Sequence, residues 1–120
     1  MPKGKCEHDF AHKWVDACNS HDLDRIMGLY SEDVIFKSPR VEKISGEEAG
    51  TIHGKAAVRD YWRRTLEMRP DLEFTLGQVF AGVDSIALEF RVKDRLHGIE
   101  FMQLNSEGQI SFACGNYLIA

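Results

Sequence analysis

Cysteine is sparse, with Cys6, Cys18 and Cys114 the three in 120 residues. An odd number, far apart and without Cys-x-x-Cys spacing, argues against a disulfide framework and against a thiolate zinc site. Cys18 and Cys114 fit better as small packing residues. Proline occurs three times, at positions 2, 39 and 70, so the breaks at Pro39 and Pro70 carry information about where elements end. No apolar run approaches the roughly 20 residues of a membrane helix, and Met1 to Lys5 lacks the apolar stretch of a secretory leader. A cytoplasmic protein that does not engage membranes is the expectation. Positive charge is not in surplus either. Lys and Arg total 15 against 19 Asp and Glu, a formal charge of −4, which leaves no basic footprint for nucleic acid. There is no G-x-S-x-G elbow, no Gly-rich phosphate loop and no recognisable Cys-His pairing, so nucleophilic catalysis has no support.

What is present is 43% hydrophobic and 28% charged sequence, enough for one globular core but not for two. We expect a loose tail over residues 1 to 7 and a single domain over 8 to 120. Phe10, Trp14, Val15 and Cys18 recur at helical spacing, as do Leu23, Ile26, Met27 and Tyr30, which marks two amphipathic helices separated at Asn19-Ser20-His21. Asp22 stands where a side chain would cap the second helix. Val34-Ile35-Phe36 reads as a strand that Ser38-Pro39 stops. Residues 40 to 52 show little periodicity and read as a surface loop. A third helix carries Val58, Tyr61, Trp62, Thr65 and Leu66 on one face and ends at Pro70, with Arg59, Arg63 and Arg64 on its solvated side. Alternation then replaces helical spacing. Strands are expected near 73–81, 85–93, 98–105 and 109–119, joined by turns at 82–84, 94–97 and 106–108. Helices followed by antiparallel strands imply an α+β domain with the helices on one face of a curved sheet.

The run W-x-x-x-x-N-x-x-D-L-D-x-x-x-x-L-Y-x-E-D-V-x-F-x-S-P, from Trp14 to Pro39, resembles the opening of the nuclear transport factor 2-like superfamily, in particular its SnoaL-like branch. His53 to Trp62 resembles the third helix of that family, G-x-x-A-(I/V)-x-x-(F/Y)-(W/Y). The resemblance implies a cystatin-like cone with an internal pocket for a small hydrophobic molecule, and a homodimer formed through the outer sheet face. It implies no particular chemistry, because this fold hosts many functions. Set against ketosteroid isomerase, the tyrosine of that enzyme falls on Trp14, its basic aspartate on Ser38 and its donor aspartate on Glu100. A serine hydroxyl cannot replace a carboxylate base, so that mechanism is rejected. Set against limonene epoxide hydrolase, Arg91 is kept while Lys93 and Asn116 replace the two carboxylates, and that mechanism fails too. The resemblance leaves two readings. One is an acid-base enzyme of SnoaL-like type, an isomerase, cyclase or dehydratase; the other is a non-catalytic binding or dimerisation module.

Glu100 is the carboxylate we favour for proton transfer, with Ser38 or His53 assisting. Flanked by Ile99, Phe101 and Met102, it would have a raised pKa if it pointed inward. Facing out, it would meet solvent or a dimer partner instead. The two family comparisons require opposite parity on the strand before it, one placing Ile86, Leu88, Phe90 and Val92 inside, the other Glu89, Arg91 and Lys93. Hydrophobic patterning favours the first. Trp14, Tyr30, Tyr61, Met102, Asn116, Tyr117 and Arg91 are the candidate ligand contacts, and Ala113 and Gly115 would leave room beside them. His8 and His12 are spaced i, i+4 but lack a Glu-containing zinc motif, so no metal and no cofactor is expected.

Overall fold

Apolar residues at every third or fourth position, then at every second, fold into two layers in the computed structural model, which describes residues 3 to 93 and 95 to 119. The elements in chain order are α1 (Lys3–Ser20), α2 (Leu23–Met27), β1 (Tyr30–Lys37), α3 (Val41–Ser45), β2 (Thr51–His53), α4 (Lys55–Met68), β3 (Thr75–Ala81), β4 (Ser85–Val92), β5 (Leu96–Leu104) and β6 (Ile110–Tyr117). The six strands form one curved sheet in the order β2-β1-β6-β5-β4-β3. Every neighbouring pair is antiparallel except β1 with β6.

The expected α+β architecture is present, with local corrections. Residues 3 to 7, expected as a loose tail, belong to α1; residues 1 and 2 lie outside the described residues. The second helix ends at Met27, and Tyr30 opens β1 rather than closing that helix. Segment 40 to 52, expected as a surface loop, contains α3 and β2. Val41, Ile44 and Ile52 are buried there. Five- and three-residue elements are too short to show periodicity against their Glu and Gly neighbours. Of the turn expected over 94–97, Leu96 and His97 join β5, while Asp94 lies outside the described residues.

Asp22 caps α2 as anticipated, accepting a hydrogen bond from the Arg25 amide at 3.2 Å. The break before it is tied to the far end of the sheet. The Asn19 side-chain amide donates to the Phe74 carbonyl at 2.9 Å and accepts from the Phe74 N–H at 2.7 Å. His21 donates through Nε2 to the Leu72 carbonyl at 2.6 Å. These bonds hold segment 72–74 against the helices, which brings Leu72 and Phe74 to the core. Three aromatic rings, Trp14, Phe74 and Phe90, meet there in stacked, tilted and edge-to-face pairs at centroid distances of 5.1 to 6.4 Å.

Candidate functional site

Parity on β4 and β5 determines what faces the helices. Ile86, Leu88, Phe90 and Val92 are buried, as hydrophobic patterning favoured, and Glu89 and Arg91 lie on the outer face. In the β4–β5 register Leu88 stands opposite Glu100 and Glu89 opposite Ile99. Directly paired residues share a face, so Glu100 points inward. It is 4% exposed. Desolvation raises its carboxyl pKa from 4.5 to about 8, and Oε2 has no hydrogen-bond partner among the described residues. At neutral pH Glu100 is therefore a neutral acid rather than a carboxylate.

Room for that carboxyl comes from the strand beside it. Glu100 pairs with Gly115 on β6. A Cβ at Gly115 would lie 3.2 Å from Glu100 Oε1 and 3.4 Å from Ser38 Oγ, so both groups occupy the space that a side chain would fill. Ser38, the last buried residue before Pro39, lies close enough to the Tyr61 and Tyr117 hydroxyls to oppose the effect of burial on their pKa values. Its Oγ also accepts the Arg40 amide at 3.2 Å. Burial pushes the Tyr117 hydroxyl up to about 12 and the Tyr61 hydroxyl higher still. Both remain protonated donors at neutral pH.

Glu100, Tyr61 and Tyr117 border a cavity of about 40 Å³ whose greasy wall is made by Trp14, Phe36, Trp62, Leu72, Phe74 and Phe90. Its polar lining comes from Glu100, Tyr61, Tyr117, Thr65, Arg40 and Arg69. The volume holds a few waters and falls well short of the roughly 300 Å³ or more of a typical ligand pocket. Four of the lining residues, Arg40, Arg69, Leu96 and Tyr117, are partly exposed and form its rim.

Of the residues anticipated from sequence, the structure gathers Glu100, Trp14, Tyr61 and Tyr117 around this cavity, with Ser38 beside them. It does not bring the others there. Tyr30 sits behind the aromatic wall, fully buried, its hydroxyl accepting from Trp14 Nε1 at 3.3 Å and Trp62 Nε1 at 3.4 Å. Met102 is fully buried in the core and does not line the cavity. His53 is exposed on β2, because alternation there turns Ile52 inward. Asn116 and Arg91 lie exposed on the outer sheet face, as the inward parity of Glu100 and Phe90 requires. His8 and His12 stack edge to face at 4.7 Å on the exposed side of α1. No group of three or more His, Cys, Asp or Glu is gathered among the described residues.

Sequence reasoning missed Arg40, Arg69, Leu72 and Phe74. For the two arginines the available signal was a position beside the two internal prolines. Arg40 follows Pro39 and Arg69 precedes Pro70, where the sequence marks the ends of a strand and a helix.

The SnoaL-like domain family matches residues 11–113. A SnoaL-like protein of unknown function from Burkholderia thailandensis is 34% identical, with TM-score 0.88 and 94% of each chain covered. A candidate ketosteroid isomerase from Kribbella flavida is 26% identical, with TM-score 0.69, covering 92% of this chain and 76% of the other. SalBIII, an epoxide hydrolase/cyclase-like enzyme of pyran ring formation in the polyether salinomycin, shares the fold at 19% identity and TM-score 0.70, with 99% and 95% covered. No curated protein matches the chain by sequence. No helix among the described residues is long and apolar enough to cross a membrane.

Proposed function

Because the chain belongs to the SnoaL-like domain family, we propose that it binds a small hydrophobic molecule in the aromatic cavity and moves a proton on it. The observation that carries this reading is Glu100, a desolvated and neutral carboxyl with an unpartnered oxygen at the wall of that cavity. Structural carboxylates are normally paired or solvated, and an unpaired buried one is costly unless it is used. The protonated carboxyl gives its proton to a carbonyl or hydroxyl oxygen of the ligand. The resulting carboxylate then takes a proton from an adjacent carbon, which restores the acid: beside a protonated carbonyl the electron pair of the broken C–H bond forms the C=C bond of an enol, and beside a protonated hydroxyl it forms a C=C bond as the C–O bond breaks and water leaves. Isomerisation and dehydration both fit that cycle, and the Tyr61, Tyr117 and Ser38 hydroxyls orient the oxygen.

A second reading, a binding module without turnover, is supported by the small cavity and by Ser38 standing where a catalytic base is found in ketosteroid isomerase. One experiment separates the two. Native mass spectrometry of the purified protein, followed by denaturation, releases any carried molecule for identification, and that molecule is then incubated with fresh protein. Conversion that Glu100→Gln abolishes supports the enzyme. A molecule bound but returned unchanged supports the module.

The outer sheet face is the surface we propose for self-association. It carries Ile99, 42% exposed, and the Phe101–Phe112 edge-to-face pair with centroids 6.1 Å apart. Sedimentation of the wild type should show a dimer and Phe101→Lys a monomer; a wild-type monomer at all concentrations removes this proposal.

A further inference from the structure

The rim of the cavity differs in charge from everything below it. Arg40 and Arg69 both line the opening. Arg40 lies close enough to the Tyr61 and Tyr117 hydroxyls for its charge to lower their pKa against the effect of burial. Neither arginine forms an ion pair with a carboxylate among the described residues, and Arg69 Nε is buried without a hydrogen-bond partner. The arginines of α4 behave otherwise. Arg59 pairs with Asp24 at 2.6 Å, Arg63 with Asp60 at 2.7 Å and Arg64 with Asp60 at 2.9 Å.

A chain with 19 acidic residues thus pairs Arg59, Arg63 and Arg64 on its outer helix face and leaves two arginines beside its apolar cavity without an ion pair among the described residues. Glu100 is not their counter-ion. Desolvation is the cause of its raised pKa, with no cationic neighbour lowering it. Both arginines line the cavity as partly exposed residues, and the neutral acid is buried at its wall. A guanidinium presents a planar fork of donors that matches a carboxylate in bidentate fashion, and partly buried positive charge is best compensated by an anion.

We infer that the ligand is a small hydrophobic carboxylate. Its anionic end is held between Arg40 and Arg69 at the rim, and its apolar body and reacting oxygen extend past Trp14 and Phe74 towards Glu100. This rests on the proposed ligand-binding role of the cavity and names the class of ligand it takes. It also assigns each charge state a purpose: the rim selects an anion, and a neutral Glu100 avoids repelling it.

Both tryptophans of the chain, Trp14 and Trp62, line the cavity, so their fluorescence reports occupancy. The test is a titration of the full chain with phenylacetate and with phenylacetamide, its neutral isostere. The acid should bind at least about tenfold tighter than the amide, as charge-assisted pairing predicts. The preference should weaken as ionic strength rises from about 0.1 M to about 1 M. Arg40→Gln and Arg69→Gln should each remove the preference while leaving amide binding in place, and Arg59→Gln should leave it intact. Arg69→Lys, which keeps the charge, distinguishes lost recognition from lost folding by retaining part of the preference. Equal binding of acid and amide overturns the inference while leaving the cavity a ligand site. No response to either probe overturns the inference and counts against the cavity as well.

Discussion

Glu89 and Glu100 are two glutamates one rung apart on adjacent strands, and they have become chemical opposites. Glu89 faces out from β4, accepts the Gln78 amide at 3.1 Å and meets His97 Nε2 at 2.6 Å, so its pKa falls below the ordinary carboxylate value. Gly77 makes room for that arrangement, because a Cβ there would run into Glu89 Oε1. Glu100 faces in from β5, and its pKa rises to about 8. The same side chain is a satisfied anion on one face of a single sheet and a stranded acid on the other. Solvation and partners, not residue type, decide which.

The largest expected effects come from removing the inward member. Glu100→Gln should lower turnover of any identified substrate by about 10²- to 10⁴-fold, the usual contribution of a positioned acid or base, measured as single-turnover rates. The same variant tests the linkage. The folded carboxyl holds its proton up to about pH 8, while the unfolded one releases it near 4.5. Between those values the folded chain binds the extra proton, so stability is highest below about 4.5, falls as pH rises and levels off above about 8. At about 1.4 kcal/mol per unit the loss is roughly 3 to 5 kcal/mol. Urea titrations across that range should show the slope in the wild type and its absence in Glu100→Gln; a wild type equally stable at both ends contradicts a buried neutral Glu100.

Gly115→Ala sharpens the contrast more gently. The new methyl presses on Glu100 and Ser38, and crowding of this size in a packed interior costs about 1 to 3 kcal/mol, read as a lower melting temperature. Retained stability would mean that the carboxyl has freedom to move. Glu89→Gln should act with the opposite sign. A lowered pKa contributes stability above the ordinary 4.5 that is lost as pH falls through the lowered value. The variant should therefore have a flatter acid limb below about pH 4.5 and a change in stability smaller than that of Glu100→Gln. The smallest effect belongs to Arg59→Gln, an exposed pair partner on the outer helix face, whose thermal stability should stay within about half a kcal/mol of wild type.

Much of the fold was legible because periodicity survives in long elements. α1, α4 and β3 to β6 follow the spacing of their apolar residues to within a few positions. The segment holding α3 and β2 was not, since its buried Val41, Ile44 and Ile52 are too few to establish a period. The site was legible in part. Glu100, Trp14, Tyr61 and Tyr117 lie at the cavity, whereas Tyr30 and Met102 share their inward faces but lie in other layers of the core. Distance along the inward normal leaves no mark on a sequence, so packed residues and lining residues look alike.

Alternation along β5 determined, from sequence alone, that Glu100 shares a face with Met102 and opposes Ile99 and Phe101. It could not determine which face lay inside, because a period of two specifies relative orientation only. The tertiary structure decided that, when the helices covered the side carrying Leu88 and Phe90 and β5 had to follow β4 through their shared register. The placement of Arg40 and Arg69 was likewise a tertiary outcome. Two arginines far apart in the chain, one beyond the end of β1 and the other at the end of α4, line one cavity.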